Sequence, residues 1–486
     1  MEMNIQNQEK ATQVNIWRSI TSMPKKLKSK VVDTMKKTKK IGKDDPRRIV
    51  HAMKVGLALT LVSLFYYLRP LYDGFGQAGM WAILTVVVVF EFTVGGTLSK
   101  SINRGFATLL AGALGVGAEY LADFCGEKGE PVILGLMVFF LATAATFTRF
   151  FPNIKRKYDY GVLIFILTFS LVAVSGFRVP EIFELGHQRL STILIGGATC
   201  IMISLFVCPV WAGQDLHNLI AGNIEKLGAF LEGFGGELSI YLGEESTTGS
   251  SKDGEKSFLR DYKSVLNSKA SEESLANFAW WEPAHGQFMF HHPWKQYLTI
   301  GALARECACL IQALNGCINP KSQPKVVSEI QTKIQQSCIK ISIESGQALK
   351  ELSSSIKKMM FPSPAAVSHV QDCKAAADDL RNILQTTSLP TESDLQEIMP
   401  ILVTASILID IINCVEKISL AVHELSDKAH FQKPKVEKIQ GQQQLLHRGI
   451  VKPIDNDVVD GHDHVVVQVH GASGDSPENK NHQLPE

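Results

Sequence analysis

Between residues 49 and 211 the chain carries six long apolar segments, at about 49–68, 78–95, 104–122, 132–150, 159–176 and 189–211, separated by charged stretches. Each is close to the ~20 residues with which an α-helix crosses ~30 Å of hydrocarbon. The Val-rich stretch 82–90 has the composition of a buried strand, but length and sixfold repetition select helices, which satisfy their own backbone in lipid. After residue 213 the sequence reads as soluble, so the mean hydropathy of +0.06 averages two unlike halves. The expected fold class is an all-α membrane protein, six transmembrane helices followed by a cytosolic helical bundle.

Charge sets the orientation. Residues 24–48 hold eleven basic side chains against Asp33, Asp44 and Asp45. By the positive-inside rule the N-terminus is cytosolic, and an even number of spans places the C-terminal half on the same side. The connecting segments agree: Lys100, Arg104, Arg149, Lys155, Arg156 and Lys157 fall inside, whereas Asp73, Asp123, Glu127, Glu130, Glu181 and Glu184 fall outside. The first residues are too polar for a signal peptide. The basic N-terminal segment reads as an orientation signal in contact with anionic lipid. In the third span Ala107, Ala111 and Gly115 recur every fourth residue, a spacing that lets helices approach closely in lipid.

Several cations lie where lipid would penalise them by roughly 2.5 to 3.5 kcal/mol each. Arg47, His51 and Lys54 form one stripe on the first span, Lys100 and Arg104 share a face entering the third, Arg149 closes the fourth, and Arg189 opens the sixth. Lys54, Lys100 and Arg149 can snorkel to headgroups along their stems. Arg104 and Arg189 are followed directly by apolar sequence and need another explanation. A surplus of positive potential at both ends of a bundle suits small anions, and the guanidinium fork matches a carboxylate.

Beyond residue 215 apolar residues recur at helical spacing, with further helices at about 257–275, 293–318, 322–360, 364–387 and 392–427 punctuated by Pro320, Pro362, Pro364 and Pro390. The expected organisation is a basic segment 1–48, a membrane domain 49–211, a helical domain 212–430 and a disordered tail 431–486. The nine cysteines lack CxxC spacing and read as reduced, buried thiols; Cys307, Cys309 and Cys317 lie in one apolar helix without zinc-type partners. No catalytic constellation emerges, so no enzyme and no cofactor is expected. Forty-nine Lys and Arg against 48 Asp and Glu offer no nucleic-acid signature.

A specific signature is also present. Asp45-Pro46-Arg47-Arg48, MWAILTVVVVFEFTVG in the second span, RFFPNIKRKYDYG after the fourth, VCPVWAGQDLH after the sixth, and Trp281-Glu282-Pro283 with His285-Gly286 and Pro293-Trp294-Lys295-Gln296-Tyr297 resemble the plant aluminium-activated malate transporter family over nearly residues 44–430. The resemblance implies a homodimeric anion channel for malate and inorganic anions, with six spans per subunit, a helical cytosolic domain and basic side chains along the pore. One departure is visible. Where the family's cytosolic motif carries several Arg, this chain has Trp280, Gln287, Met289 and His291.

The leading expectation is thus a passive anion channel, opened by voltage and cytosolic anion, with Arg104 and Arg189 on the path and Lys100, Arg149 and Lys54 beside them. A proton-coupled organic-acid exporter and a membrane-anchored helical scaffold are the alternatives. Glu282 and Trp281 are assigned to gating, Glu282 in a buried ion pair among Trp280, Trp281 and Trp294, as against a simple cap or a solvated turn. The candidates for an outer cation site are Asp73, Glu181 and Glu184. Pro180 stands where an aluminium-responsive relative has an acid, which points to a weak aluminium response. The short tail resembles plasma-membrane members of the family rather than vacuolar ones.

Overall fold

The computed structural model describes residues 25–67, 79–176, 182–241, 258–317, 329–386 and 392–433. Asp73, Glu181, the side chain of Glu184 and the expected tail beyond Lys433 lie outside the described residues; the first residues of that tail are ordered, Phe431 being buried in the bundle core and Gln432 exchanging backbone hydrogen bonds with Met359 and Phe361. Among these residues secondary structure is helical, apart from isolated bridges such as His285 to Phe288. A basic helix α1 (Lys25–Asp44) precedes six apolar helices: α2 (Arg47–Tyr67), α3 (Gly79–Val89), α4 (Val94–Asp123), α5 (Gly126–Thr148), α6 (Pro152–Gly176) and α7 (Ile182–Phe206). The C-terminal bundle comprises α8 (Ala212–Tyr241), the short α9 (Phe258–Asp261) and α10 (Lys263–Leu266), then α11 (Lys269–Ala279), α12 (Trp294–Cys317), α13 (Glu329–Lys357), α14 (Pro364–Thr386) and α15 (Glu392–Lys428).

Among the described residues five helices are long and apolar enough to cross a membrane by length and composition: Val94–Asp123, Lys128–Thr148, Pro152–Ser175, Gly186–Phe206 and Trp294–Gly316. The last belongs to the bundle. Its Tyr297, Ile300, Ala304, Cys307, Ala308, Ile311 and Leu314 are buried in the same core as α8, α13 and α15, so its apolar character is that of a central bundle helix. The second expected span departs from the sequence reading. At about 1.5 Å per residue, the 11 residues of α3 rise only ~16 Å, and the chain breaks at residues 90–93. Thr93 then caps the next helix, its Oγ1 accepting the Gly96 N–H at 3.2 Å. Helix α4 therefore begins at Val94, ten residues before the expected third span, and Lys100 lies on a helix rather than in a loop.

Small residues set the packing of the membrane half. A Cβ on Gly115 would lie 2.7 Å from Val172 Cγ1, and Ala111 is fully buried, so the small-residue face of α4 is where α6 approaches. A Cβ on Gly196 would lie 2.8 Å from the Ala82 carbonyl, which lets α7 cross α3 closely. Two apolar clusters result, one of Ala58, Val62, Val86, Val89, Cys200 and Ile203, the other of Ala111, Ala118, Leu134, Phe169 and Ala173.

The bundle core is larger, and α8 lies along α13 through it. Two buried serines there return their hydroxyls to backbone: Ser342 donates to the Leu231 carbonyl at 2.6 Å and Ser353 to the Ala221 carbonyl at 2.7 Å. Glu272, fully buried, pairs with Arg305 and accepts from Ser268 Oγ at 2.6 Å. Thiol burial is mixed. Cys200, Cys307, Cys338, Cys373 and Cys414 are buried as expected, but Cys125 and Cys208, at helix ends, are exposed, and so is Cys309, because two residues of helix turn it to the face opposite Cys307.

Candidate functional site

The intramembrane cations separate into two groups. Lys100 pairs with Glu91 and lies 5.7 Å from the Tyr160 ring. Arg149 makes a bidentate bridge to Asp159, at 2.7 Å from Nε and 3.1 Å from Nη2. Lys54 is buried and donates to the Cys208 carbonyl at 2.7 Å, holding the turn between α7 and α8. Each of these three has a structural partner.

Arg104 and Arg189 have no acidic partner among the described residues. Arg104, 4% exposed, donates from Nη1 to Tyr160 Oη at 3.2 Å, while its Nε is buried without an acceptor. Arg189 sits with Cζ 4.5 Å from the centroid of the Trp81 ring, and its Nε is likewise buried and unmatched. A guanidinium held by a phenol or an indole face is not neutralised by its neighbour and leaves donors available. Ser101 faces Gly197 and Leu194 approaches Gly105 along the α4–α7 crossing, which places Arg189 roughly 8 Å further along the helices than Arg104. An apolar groove of about 370 Å³ runs along that crossing, lined by Ser101, Gly105, Leu190, Leu194 and Gly197.

The second constellation joins the two halves of the chain at Glu282, in the loop between α11 and α12. Glu282 is 6% exposed and meets no Arg or Lys among the described residues, unlike the ion pair expected from the sequence. Instead it accepts three backbone N–H groups: Ala212 at 2.6 Å and Gly95 at 3.3 Å on Oε1, and Gly213 at 3.0 Å on Oε2. Those amides are the first turns of α8 and α4, whose orphan N–H groups and positive dipole ends favour an anion. One side chain thus caps a bundle helix and an apolar helix together. His285 Nε2 lies 3.9 Å from Oε2, and its ring stacks on Trp211 at 3.8 Å.

Burial pushes the Glu282 carboxyl up to about 7, with the three N–H donors acting in the opposite direction and Asp215 adding to the rise. Burial likewise holds His285 below its ordinary value. Close approach at this joint requires glycine: a Cβ on Gly95 would lie 2.2 Å from the Phe278 carbonyl, and one on Gly213 2.4 Å from Trp294 Cη2. Around it, Arg47 bridges to Asp215 at 2.8 Å, Val94 N–H donates to the Val210 carbonyl at 2.9 Å, and Asn277 donates to the Arg156 carbonyl at 2.9 Å. Trp281 packs edge-on against Tyr158 at 6.2 Å, and Lys157 sits 3.8 Å over Trp280. Sequence reasoning picked out Glu282 and Trp281 but missed Gly95, Ala212 and Gly213, because backbone donors carry no side-chain signature. The adjacent small residues Ala212 and Gly213 after Trp211 were the available signal.

The arrangement of apolar helices, unmatched guanidinium groups and a capped joint accords with one comparison in particular. The profile of the family described as "Aluminium activated malate transporter" matches residues 39–397. The chain belongs to this family. It is 52% identical over 408 residues to aluminum-activated malate transporter 2 of Arabidopsis thaliana, covering 84% of this chain and 80% of that one. It is 51% identical over 405 residues to aluminum-activated malate transporter 1 of the same plant, covering 83% and 81%. Against aluminum-activated malate transporter 1 of Triticum aestivum the identity is 44% over 424 residues, covering 86% and 90%. Membership and the apolar helices make this a multi-pass membrane protein, and membership sets it among transporters rather than enzymes.

Proposed function

We propose that this member of the aluminium-activated malate transporter family is a passive channel passing malate and inorganic anions, opened by voltage and cytosolic anion. The observation that carries this reading is the pair of guanidinium groups of Arg104, buried, and Arg189, half-buried, which lie among apolar helices with no carboxylate partner among the described residues. A static structural role would leave such charges costly, whereas a path for dicarboxylates uses both their potential and their free donors. Lys100, Arg149 and Lys54 contribute to the field at the mouth of the path but are engaged by Glu91, Asp159 and the Cys208 carbonyl.

The membrane domain is read as six crossings, with the second made by α3 and the segment that follows it, both termini on the cytosolic side, and two copies forming the channel. The relatives are named as malate transporters, which supports malate as a permeant anion. Glu282 and Trp281 act in gating, since the Glu282 carboxyl couples the start of α4 to the start of α8. The plasma membrane is the proposed location; a fluorescent fusion imaged after plasmolysis tests it, and signal confined to the vacuolar membrane contradicts it.

Malate flux into liposomes holding the purified protein separates the readings. Flux down a malate gradient at equal pH on both sides supports the channel. Flux that requires a proton gradient identifies an exporter, and no flux leaves a scaffold.

A further inference from the structure

Helix α1 is the part of the chain that neither the proposed path nor the joint uses. Its 20 residues end three residues before α2, and its principal contact is with the start of that helix, where Ile49 lies against Gly42. The helix has two faces. Val31, Met35, Thr38 and Gly42 follow i, i+4, i+7, i+11 spacing, with Thr34 and Ile41 flanking them, and no charged residue falls on this stripe between residues 31 and 42. Lys30, Lys36, Lys37, Lys39, Lys40 and Lys43, with Asp33 and Asp44 the acids among them, dominate the rest of the surface, and none of these lysines has a salt-bridge partner among the described residues.

The stripe is exposed, with Met35 at 67% and Ile41 at 49%. Its two polar side chains have been made apolar outwardly: Thr34 Oγ1 donates to the Lys30 carbonyl at 2.8 Å and Thr38 Oγ1 to the Thr34 carbonyl at 2.9 Å. Hydroxyls returned to the helix in this way make no demand on their surroundings, so the stripe can leave water without losing a hydrogen bond. An unpartnered apolar stripe edged by lysines, tied at one end to an apolar helix, has the chemistry of an interfacial helix.

We propose that α1 lies in the plane of the membrane on the anionic leaflet where α2 begins, with Val31, Met35 and Ile41 among the acyl chains and the lysines on acidic headgroups. The occupant is the lipid surface, selected by charge complementarity and by the covalent link to α2. Lysines near such a surface are drawn to its negative potential, and the apolar stripe adds burial that a flexible basic tail lacks. This inference rests on the proposed reading only in taking α2 to enter the membrane at its Arg47 end; it is independent of what the protein transports.

The test is amide hydrogen exchange on the full-length protein in nanodiscs of phosphatidylcholine alone or with about a third phosphatidylserine. Exchange over residues 30–43 is expected to slow severalfold with phosphatidylserine while residues 364–386 of the bundle remain unchanged. Lys36→Glu with Lys37→Glu, Lys39→Glu and Lys40→Glu should abolish the slowing, and so should Val31→Asp with Met35→Asp. Equal exchange in the two lipids overturns the proposal. Slowing that survives Val31→Asp with Met35→Asp also overturns it, because the segment would then be held by charge alone. A channel reading that failed in flux assays would leave these exchange rates where they are.

Discussion

The Glu282 carboxylate accepts the Gly95 backbone N–H at 3.3 Å across 187 residues of sequence, and the same oxygen accepts Ala212 N–H at 2.6 Å. The beginnings of an apolar helix and a bundle helix therefore share one acceptor. A shift of α8 relative to α4 stretches one of these bonds, which is the physical basis for the proposal that the residue acts in gating.

Glu282→Gln removes the negative charge between two helix N-termini and turns an acceptor into a donor facing N–H groups. Single-channel recording should find unitary conductance unchanged and open probability altered. A change of ion selectivity with gating intact would place Glu282 on the path instead.

The pH dependence has a defined sign. The buried carboxyl, at about 7 against an ordinary 4.5, binds a proton more tightly in the assembled joint than when released. The stabilisation from protonation is full below about 4.5 and is lost as pH rises through about 7, with a span on the order of 3 kcal/mol. The thermal midpoint of the purified protein should fall between about pH 5 and 8, and the Glu282→Gln protein should show a flatter slope. Parallel slopes in the two proteins would assign the titration to another group.

Glycine substitutions at the joint should be costly for steric reasons. Gly95→Ala puts a Cβ 2.2 Å from a backbone carbonyl that cannot rotate away, and Gly213→Ala puts one 2.4 Å from the Trp294 ring. Overpacking of this kind costs about 1–3 kcal/mol. Gly112→Ala, where nothing lies within 4 Å, is the control and should leave the thermal midpoint within experimental scatter.

Much of this architecture was legible from the sequence, and the misses have physical causes. The apolar helices and the close packing at Ala111 and Gly115 follow from hydropathy and residue size alone. The start of α4 was missed because Gly95, Gly96, Thr97 and Ser99 have loop composition; they are helical because Thr93 and Glu282 cap them from outside the segment. The pairing of Lys100 with Glu91 and Arg149 with Asp159 was hidden by the same displaced boundaries, while Tyr160 and Trp81, the neighbours of Arg104 and Arg189, reveal themselves only through tertiary contact.

Aluminium should be a poor activator. On the sequence reading Asp73, Glu181 and Glu184 are the outer acids that would supply a hard cation with oxygen ligands, and the family resemblance sets Pro180, which fixes its own backbone torsion, where a responsive relative has a further acid. Current recorded at acid external pH should change little on adding aluminium. A severalfold increase that Asp73→Asn or Glu184→Gln abolishes would contradict this.

The unmatched guanidinium groups make the strongest mutational prediction. Arg104→Glu and Arg189→Glu reverse the local potential without touching the apolar clusters, so each should suppress anion current by at least an order of magnitude with surface expression retained. Lysine at either position keeps the charge, loses the fork, and should leave partial current.

The most direct measurement is the reversal potential of whole-cell current in a heterologous membrane, with malate concentrated on the cytosolic side and a poorly permeant anion outside. A channel moves that potential toward the malate equilibrium potential as the gradient is changed, at constant pH, and the Arg104→Glu and Arg189→Glu proteins lose the current. A potential that ignores the malate gradient, or follows the proton gradient instead, would contradict the account.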